Sequence, residues 1–153
     1  MRKFEIISRK EIEKNIDLKP ENIVLPKRQT LKSAGYDFYL PYDIFLNPGE
    51  MKVVATGIKV SLEDDEVLEI YIRSSMAIKK GLFLANQVGI IDADYYNNPN
   101  NEGHIMIAIR NTSALSVTLK TGERIAQGVF KKYLLTDDDD VTSVRCGGIG
   151  STK

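Results

Sequence analysis

Two aspartates, Asp92 and Asp94, follow the apolar residues Val88, Ile90 and Ile91 and precede Tyr95. A carboxylate set where a buried strand emerges can activate water as a general base, or hold a metal ion through bound waters. An Asp-rich turn with no chemistry is the structural alternative, and the segment alone does not choose. Arg73-Ser74-Ser75 closes another strand-like run. Arginine offers forked, permanently charged donors suited to phosphate oxygens, and adjacent hydroxyls and backbone N–H groups add to them. A helix cap beside a surface arginine would use the same residues. Gln127 shares strand parity with Ile125 and Val129, and a polar side chain on an apolar face needs a neighbour or a ligand to bond to. The tail Arg145-Cys146-Gly147-Gly148-Ile149-Gly150-Ser151-Thr152-Lys153 is too glycine-rich and polar for a core strand. Glycine lets backbone N–H groups approach a ligand closely, so this tail with Arg145, Ser151 and Thr152 could wrap phosphates. Cys146 and His104 have no companions that suggest a triad or metal site, and both read as structural.

Such groups need rigid elements behind them, and the hydrophobic period supplies strands. Leu68, Ile70 and Ile72 alternate with Glu69, Tyr71 and Arg73, and Ile105, Ile107 and Ile109 stand against His104, Ala108 and Arg110. Period two predicts half-buried strands. Further strands are predicted over 4–8, 51–60, 82–86, 115–119 and 124–134. Asn47-Pro48-Gly49, Glu63-Asp64-Asp65 and Lys120-Thr121-Gly122 mark turns between them. Many short strands at this spacing mean an all-β sandwich or barrel. A short helix is predicted over 74–80, capped by Ser74 or Ser75 and closed by Gly81, and a second over 10–19. The run Asp137 to Asp140 reads as a solvated loop that launches the last segment. The chain divides into a β domain over 1–140 and a C-terminal arm over 141–153.

Composition narrows the partners. Lys plus Arg and Asp plus Glu are balanced at 21 each, so the basic surplus that neutralises a nucleic acid polymer is missing. A small phosphorylated ligand remains compatible. With 42% hydrophobic residues over 153, the chain can bury a core as one domain. A single cysteine cannot build a disulfide framework. No apolar run approaches a membrane span, and Met1-Arg2-Lys3-Phe4-Glu5 lacks a signal-peptide core. The expectation is a reduced, cytoplasmic protein that does not engage a membrane.

The order of these segments carries more than any one of them. Ala34-Gly35-Tyr36-Asp37, Arg73-Ser74-Ser75, Gly89-Ile90-Ile91-Asp92-Ala93-Asp94-Tyr95, Gly122-Glu123-Arg124-Ile125-Ala126-Gln127 and Gly147-Gly148-Ile149-Gly150-Ser151-Thr152 follow one another over roughly residues 24–153. In this the chain resembles the trimeric dUTP diphosphatases, or dUTPases. The resemblance implies a distorted jelly-roll, a β-clip barrel with one short helix after Arg73, assembled as a homotrimer with exchanged C-terminal arms. It implies Mg²⁺-dependent hydrolysis of dUTP to dUMP and pyrophosphate, which keeps dUTP low and supplies dUMP for thymidylate synthesis.

By the same resemblance, Asp92 activates the water that attacks the α-phosphorus, and Asp37 positions Mg²⁺ through its waters. Arg73, Ser74, Ser75 and Gln127 contact phosphate oxygens. Asn86, in the strand leading to the catalytic turn, borders the uracil pocket with backbone groups at Gly89 and Ile91. Tyr95 stacks on the deoxyribose and leaves no room for a 2′-hydroxyl. Arg145, Ile149, Gly150, Ser151 and Thr152 close over the nucleotide, in an active site of another subunit. The family usually has Phe where Ile149 stands, so this chain covers the base by apolar contact without an aromatic face, and the spacing from Arg145 to the glycine pair is short. The stretch from Tyr96 to Gly103 is longer than the family's usual turn, and its Asn, Pro and Gly content predicts an exposed loop. The dCTP deaminases share this fold but carry a catalytic Glu in the following strand, where Ala108 stands here. A binding or regulatory protein using dUTP as effector is the reading from a different class.

Overall fold

The computed structural model describes residues 1–148. Eleven strands and two short helices follow one another: β1 (Lys3–Ile6), α1 (Arg9–Ile12), β2 (Tyr36–Tyr39), β3 (Ile44–Leu46), β4 (Met51–Ala55), β5 (Ile58–Ser61), β6 (Glu66–Ile72), α2 (Ser74–Lys80), β7 (Leu82–Leu84), β8 (Gly89–Asp92), β9 (Met106–Asn111), β10 (Val117–Leu119) and β11 (Arg124–Lys132). The strands pair antiparallel in four small sheets, ordered β2-β11-β6-β8, β4-β9-β7, β1-β5 and β10-β3. The all-β expectation holds. No helix among the described residues is long and apolar enough to cross a membrane.

The period-two reading is realised where it was strongest. In β6, Leu68 and Ile70 are buried while Glu69 and Tyr71 are only half so, and in β9 Ile107 and Ile109 are buried against an exposed Arg110. They join Phe38, Leu40, Leu46, Leu82, Leu119 and Ile125 in one continuous core. Burying each such side chain contributes about 1.5–3 kcal/mol. The N-terminal strand is fastened to this barrel by an aromatic cluster, with Phe4 centred 5.4 Å from Tyr36 and from Phe130 and 5.8 Å from Phe38.

Several elements differ from the sequence expectation. The strand predicted over 51–60 is two strands, because Gly57 turns the chain at φ +75°, a conformation that costs a side-chain-bearing residue. The helix predicted over 10–19 is the four-residue α1, capped by the Ser8 hydroxyl accepting from the Glu11 N–H at 3.2 Å. A second α-helix therefore accompanies the one after Arg73. That one, α2, has the predicted bounds and ends at Gly81, but its N-cap is Arg73, with no side-chain cap bond from Ser74 or Ser75. Strands β2 and β3 carry no legible period. In β2 the adjacent Asp37 and Phe38 are both buried, and in β3 three residues are too few to show one.

Candidate active site

Strand β6 organises the site because it carries a different functional segment at each end. At its start, Val67 pairs with Asp92, and the register runs to Ile70 opposite Gly89. Strand β8, the 85–88 turn and β9 wall a cleft of about 650 Å³, within the usual range for a small-molecule site. Asn86, Gly89, Ile91, Asp92, Tyr95 and Arg145 all line it. Asn86 does so from a turn, since β7 stops at Leu84. The chain doubles back there through Gln87 N–H to Leu84 C=O at 3.0 Å and Val88 N–H to Asn86 C=O at 2.7 Å.

Asp92 is the last residue of β8 and leads into a 3₁₀ turn over Ala93–Tyr95. Its side chain is 49% exposed, so it lies at the mouth of the cleft. The arm folds back here: the Arg145 guanidinium donates to Asp92 at 2.5 Å and to Asp94 at 2.7 Å. It also lies 5.8 Å from the centre of the Tyr95 ring. Asp94, then Asp92, hold its pKa above the ordinary arginine value. The arm that the resemblance assigns to another subunit's site thus rests, within this chain, on the chain's own cleft. Tyr95 is buried, its hydroxyl donating to the His104 carbonyl at 2.9 Å and accepting from Asn101 Nδ2 at 2.8 Å.

The other end of β6 holds a second cluster. The Asp37 carboxylate is nearly buried between two arginines, 3.2 Å from Arg73 Nε and 3.1 Å from Arg124 Nη1. Arg73 also donates to the Arg124 carbonyl at 3.3 Å. One carboxylate between two guanidiniums leaves a net positive patch, and Ser74 and Ser75 begin α2 beside it. Gln127 joins it by register, lying opposite Asp37 on β2 and Tyr71 on β6. Gly35 makes room for it: a Cβ there would sit 2.3 Å from Gln127 Oε1.

Gln127 does not share the face of Ile125 that strand parity predicts for it. Arg124 pairs with Tyr39 and Gln127 with Asp37, so three steps on β11 match two on β2 across a bulge. The extra residue places Arg124 and Gln127 on one face. It also separates Gln127, half-buried, from Ile125, fully buried. The same bulge hides Arg124 from a reading by strand period. Its only signal was its place within the Gly122–Gln127 segment, and regular alternation puts it on the opposite face from Gln127.

The two clusters do not meet within one chain. From Val67, opposite Asp92, to Arg73 is six residues along β6, or about 20 Å at strand rise. Among the described residues no group of three or more His, Cys, Asp or Glu side chains could hold a metal ion. Ile149, Gly150, Ser151 and Thr152 lie outside the described residues. His104 is structural, as expected: its buried Nε2 accepts the Gly57 N–H at 2.9 Å. Cys146 is a free, exposed thiol.

With this geometry established, comparison with known proteins is specific. The family model described as dUTPase matches residues 21–153. The deoxyuridine 5′-triphosphate nucleotidohydrolase of Lactococcus lactis subsp. lactis is 44% identical over 154 aligned residues, covering 99% of this chain and 97% of its own. The protein of that name in Desulfitobacterium hafniense is 37% identical over 136 residues, covering 84% and 86%. Among solved structures, a dUTPase from Streptococcus mutans is similar at a TM-score of 0.75 and 46% identity, over 88% of this chain and 98% of that one.

Proposed function

We propose, from the premise that this chain belongs to the dUTPase family, that its two clusters are the halves of one composite site for hydrolysing dUTP to dUMP and pyrophosphate. The observation that carries this reading is the position of Asp92, half-exposed at the mouth of a nucleoside-sized cleft. There a carboxylate can take a proton from water as that water attacks. The attack falls on the α-phosphorus; the bond to the bridging oxygen breaks and pyrophosphate leaves. Asn86 and the backbone at Gly89 and Ile91 border the base. A wrong base leaves their polar groups unpaired, which costs more than lost apolar contact. Tyr95 packs on the deoxyribose and occupies the space of a 2′-hydroxyl. Arg73, Ser74, Ser75 and Gln127 take the phosphate oxygens and stabilise the charge that grows on them. Arg145 exchanges Asp92 and Asp94 for phosphate when the nucleotide arrives. Both carboxylates are about half exposed while Arg145 is largely covered, so water can solvate the carboxylates and a phosphate replaces the charged acceptors that the arginine gives up.

Asp92 and Arg73 cannot serve one triphosphate from a single chain when about 20 Å of strand separates them. The reading therefore requires a second copy to supply the phosphate cluster, and we place the enzyme as a homotrimer in the cytoplasm. Both oxygens of Asp37 already face arginines, so it does not fit as a direct metal ligand. A carboxylate keeps further lone pairs, and through these Asp37 would meet the waters of a Mg²⁺ carried by the triphosphate. An ion held there would neutralise charge on the leaving pyrophosphate. Deamination finds no support: Ala108, where a carboxylate proton shuttle would stand, lines the cleft with a methyl group.

Pyrophosphate release, screened over the common deoxynucleoside triphosphates and UTP with Mg²⁺, should single out dUTP. Asp92→Asn should lower turnover at least about a hundredfold, within the range of general-base contributions. Mixing Asp92→Asn chains with Arg73→Ala chains and refolding them together should restore part of the activity that neither has alone. Equal rates for Asp92→Asn and the parent would remove Asp92 from its role. Failure of complementation would remove the composite site.

A further inference from the structure

The loop from Tyr96 to Gly103 was expected to be exposed, yet the structure builds it into the molecule. Asn98 is buried, its Nδ2 donating to the Tyr95 carbonyl and to Asn101 Oδ1 at 2.8 Å each. Its Oδ1 accepts from the Asn100 and Asn101 N–H groups at 3.1 and 3.2 Å. The loop is also tied to the N-terminal segment and β5. Lys59 donates to Asn97 Oδ1 at 2.7 Å, Lys14 to the Asn100 carbonyl at 3.3 Å, and the Ser8 N–H to the Glu102 carboxylate at 3.0 Å.

Asn101 is where this loop meets the cleft. Its Oδ1 accepts from Asn98 Nδ2 and from the Gly103 N–H at 3.1 Å, which leaves Nδ2 to donate outward. That group donates to the Tyr95 hydroxyl, whose own O–H in turn donates to the His104 carbonyl. Asn101 also backs the arm: a Cβ on Gly148 would lie 3.2 Å from Asn101 Nδ2 and 3.7 Å from the Tyr95 hydroxyl. Both Tyr95 and Gly148 line the cleft. One amide therefore holds, from behind, the ring on the cleft wall and lies close to the backbone that crosses it.

We propose that Asn101 is a positioning residue for sugar selection, holding the Tyr95 ring at the depth where it excludes a 2′-hydroxyl. This rests on the reading of Tyr95 given above. A phenol bonded at both its donor and its acceptor site cannot tilt without breaking one bond, so the wall stays closed to the extra oxygen of UTP. Without Asn101 the phenol keeps only the His104 carbonyl and the ring gains that freedom.

The test is the ratio of kcat/KM for dUTP to that for UTP in Asn101→Ala, Tyr95→Phe and the double variant, with melting temperature as the check on folding. Losing one neutral hydrogen bond corresponds to roughly two- to tenfold. The expected result is a fall of about that size in the ratio for each single variant, with the double variant no worse than the poorer single one. If Tyr95→Phe lowers the ratio and Asn101→Ala does not, the positioning role is wrong while the Tyr95 reading stands. If neither single variant moves the ratio, the Tyr95 reading falls and the proposal with it. Additive losses would also overturn it, because Asn101 would then act elsewhere than through the phenol. Should Asn101→Ala unfold, Asn101→Asp keeps both acceptor bonds of the loop but gives the single phenol proton two acceptors. It should lower the ratio by a similar factor, and an unchanged ratio in a folded Asn101→Asp enzyme would overturn the proposal.

Discussion

The contact between Gly35 and Gln127 permits a test of the phosphate cluster that leaves its charged groups alone. A Cβ at residue 35 would lie 2.3 Å from Gln127 Oε1, 3.1 Å from Cδ and 3.2 Å from Cβ. The amide oxygen ends a flexible side chain and can swing away, whereas the Gln127 Cβ is held by the β11 backbone. Gly35→Ala should thus expel the Gln127 amide from its place beside Asp37, while the backbones give by about a few tenths of an ångström at the Cβ contact and the barrel is kept. Residue 35 does not have the positive φ that would strain alanine. Losing one hydrogen bond to a charged phosphate is worth about 1.5–3 kcal/mol, which corresponds to roughly a 10- to 150-fold loss in kcat/KM. The assay is pyrophosphate release from Mg-dUTP for Gly35→Ala, Gln127→Ala and the double variant, with melting curves for each. The double variant should match Gln127→Ala, because the added methyl then has little left to displace. A Gly35→Ala enzyme at full kcat/KM would refute the assignment of Gln127 to phosphate. A large fall in melting temperature would refute the claim that the amide's swing and a small backbone shift absorb the clash.

Two other outcomes follow from the arm and from the buried imidazole. Removing residues 141–153 should leave the melting temperature within a few degrees, since 141–144 are exposed and none of the described arm residues, 141–148, joins the core. Turnover should fall at least about tenfold with the loss of the charged Arg145 contacts, and a fully active truncated enzyme would exclude arm closure. Burial holds the His104 pKa below its ordinary 6.5, against the opposing pull of Glu11. The unfolded chain therefore takes up a proton that the folded chain resists, so this contribution to stability is complete above about pH 6.5 and is lost as pH falls below it. Denaturant midpoints measured from pH 8 to 5 should fall below 6.5 in the parent and less steeply in His104→Asn, and parallel curves would refute the account.

Much of this protein could be read from its residues in line. Leu68, Ile70, Ile107 and Ile109 announce half-buried strands because side chains on a strand alternate between faces, and Gly81 marks the end of α2 by the same local rules. The segment Gly89 to Tyr95 was legible as a catalytic candidate, and the four segments around it made the dUTPase resemblance specific. What lay beyond the sequence depends on pairing between distant strands. The bulge in β11 brings Arg124 to the face of Gln127 and Asp37, and no period in the sequence shows an inserted residue until its partner strand is known. Strand β2, with Asp37 and Phe38 both buried, exists because β11 pairs with it and two arginines enclose its carboxylate. The loop containing Asn101 reads as solvent-exposed from its composition, yet amide side chains can satisfy one another and so become structural. Only the tertiary structure sets the Asp92 and Arg73 clusters toward opposite ends of β6, because β8 pairs with the start of that strand while Arg73 follows its end.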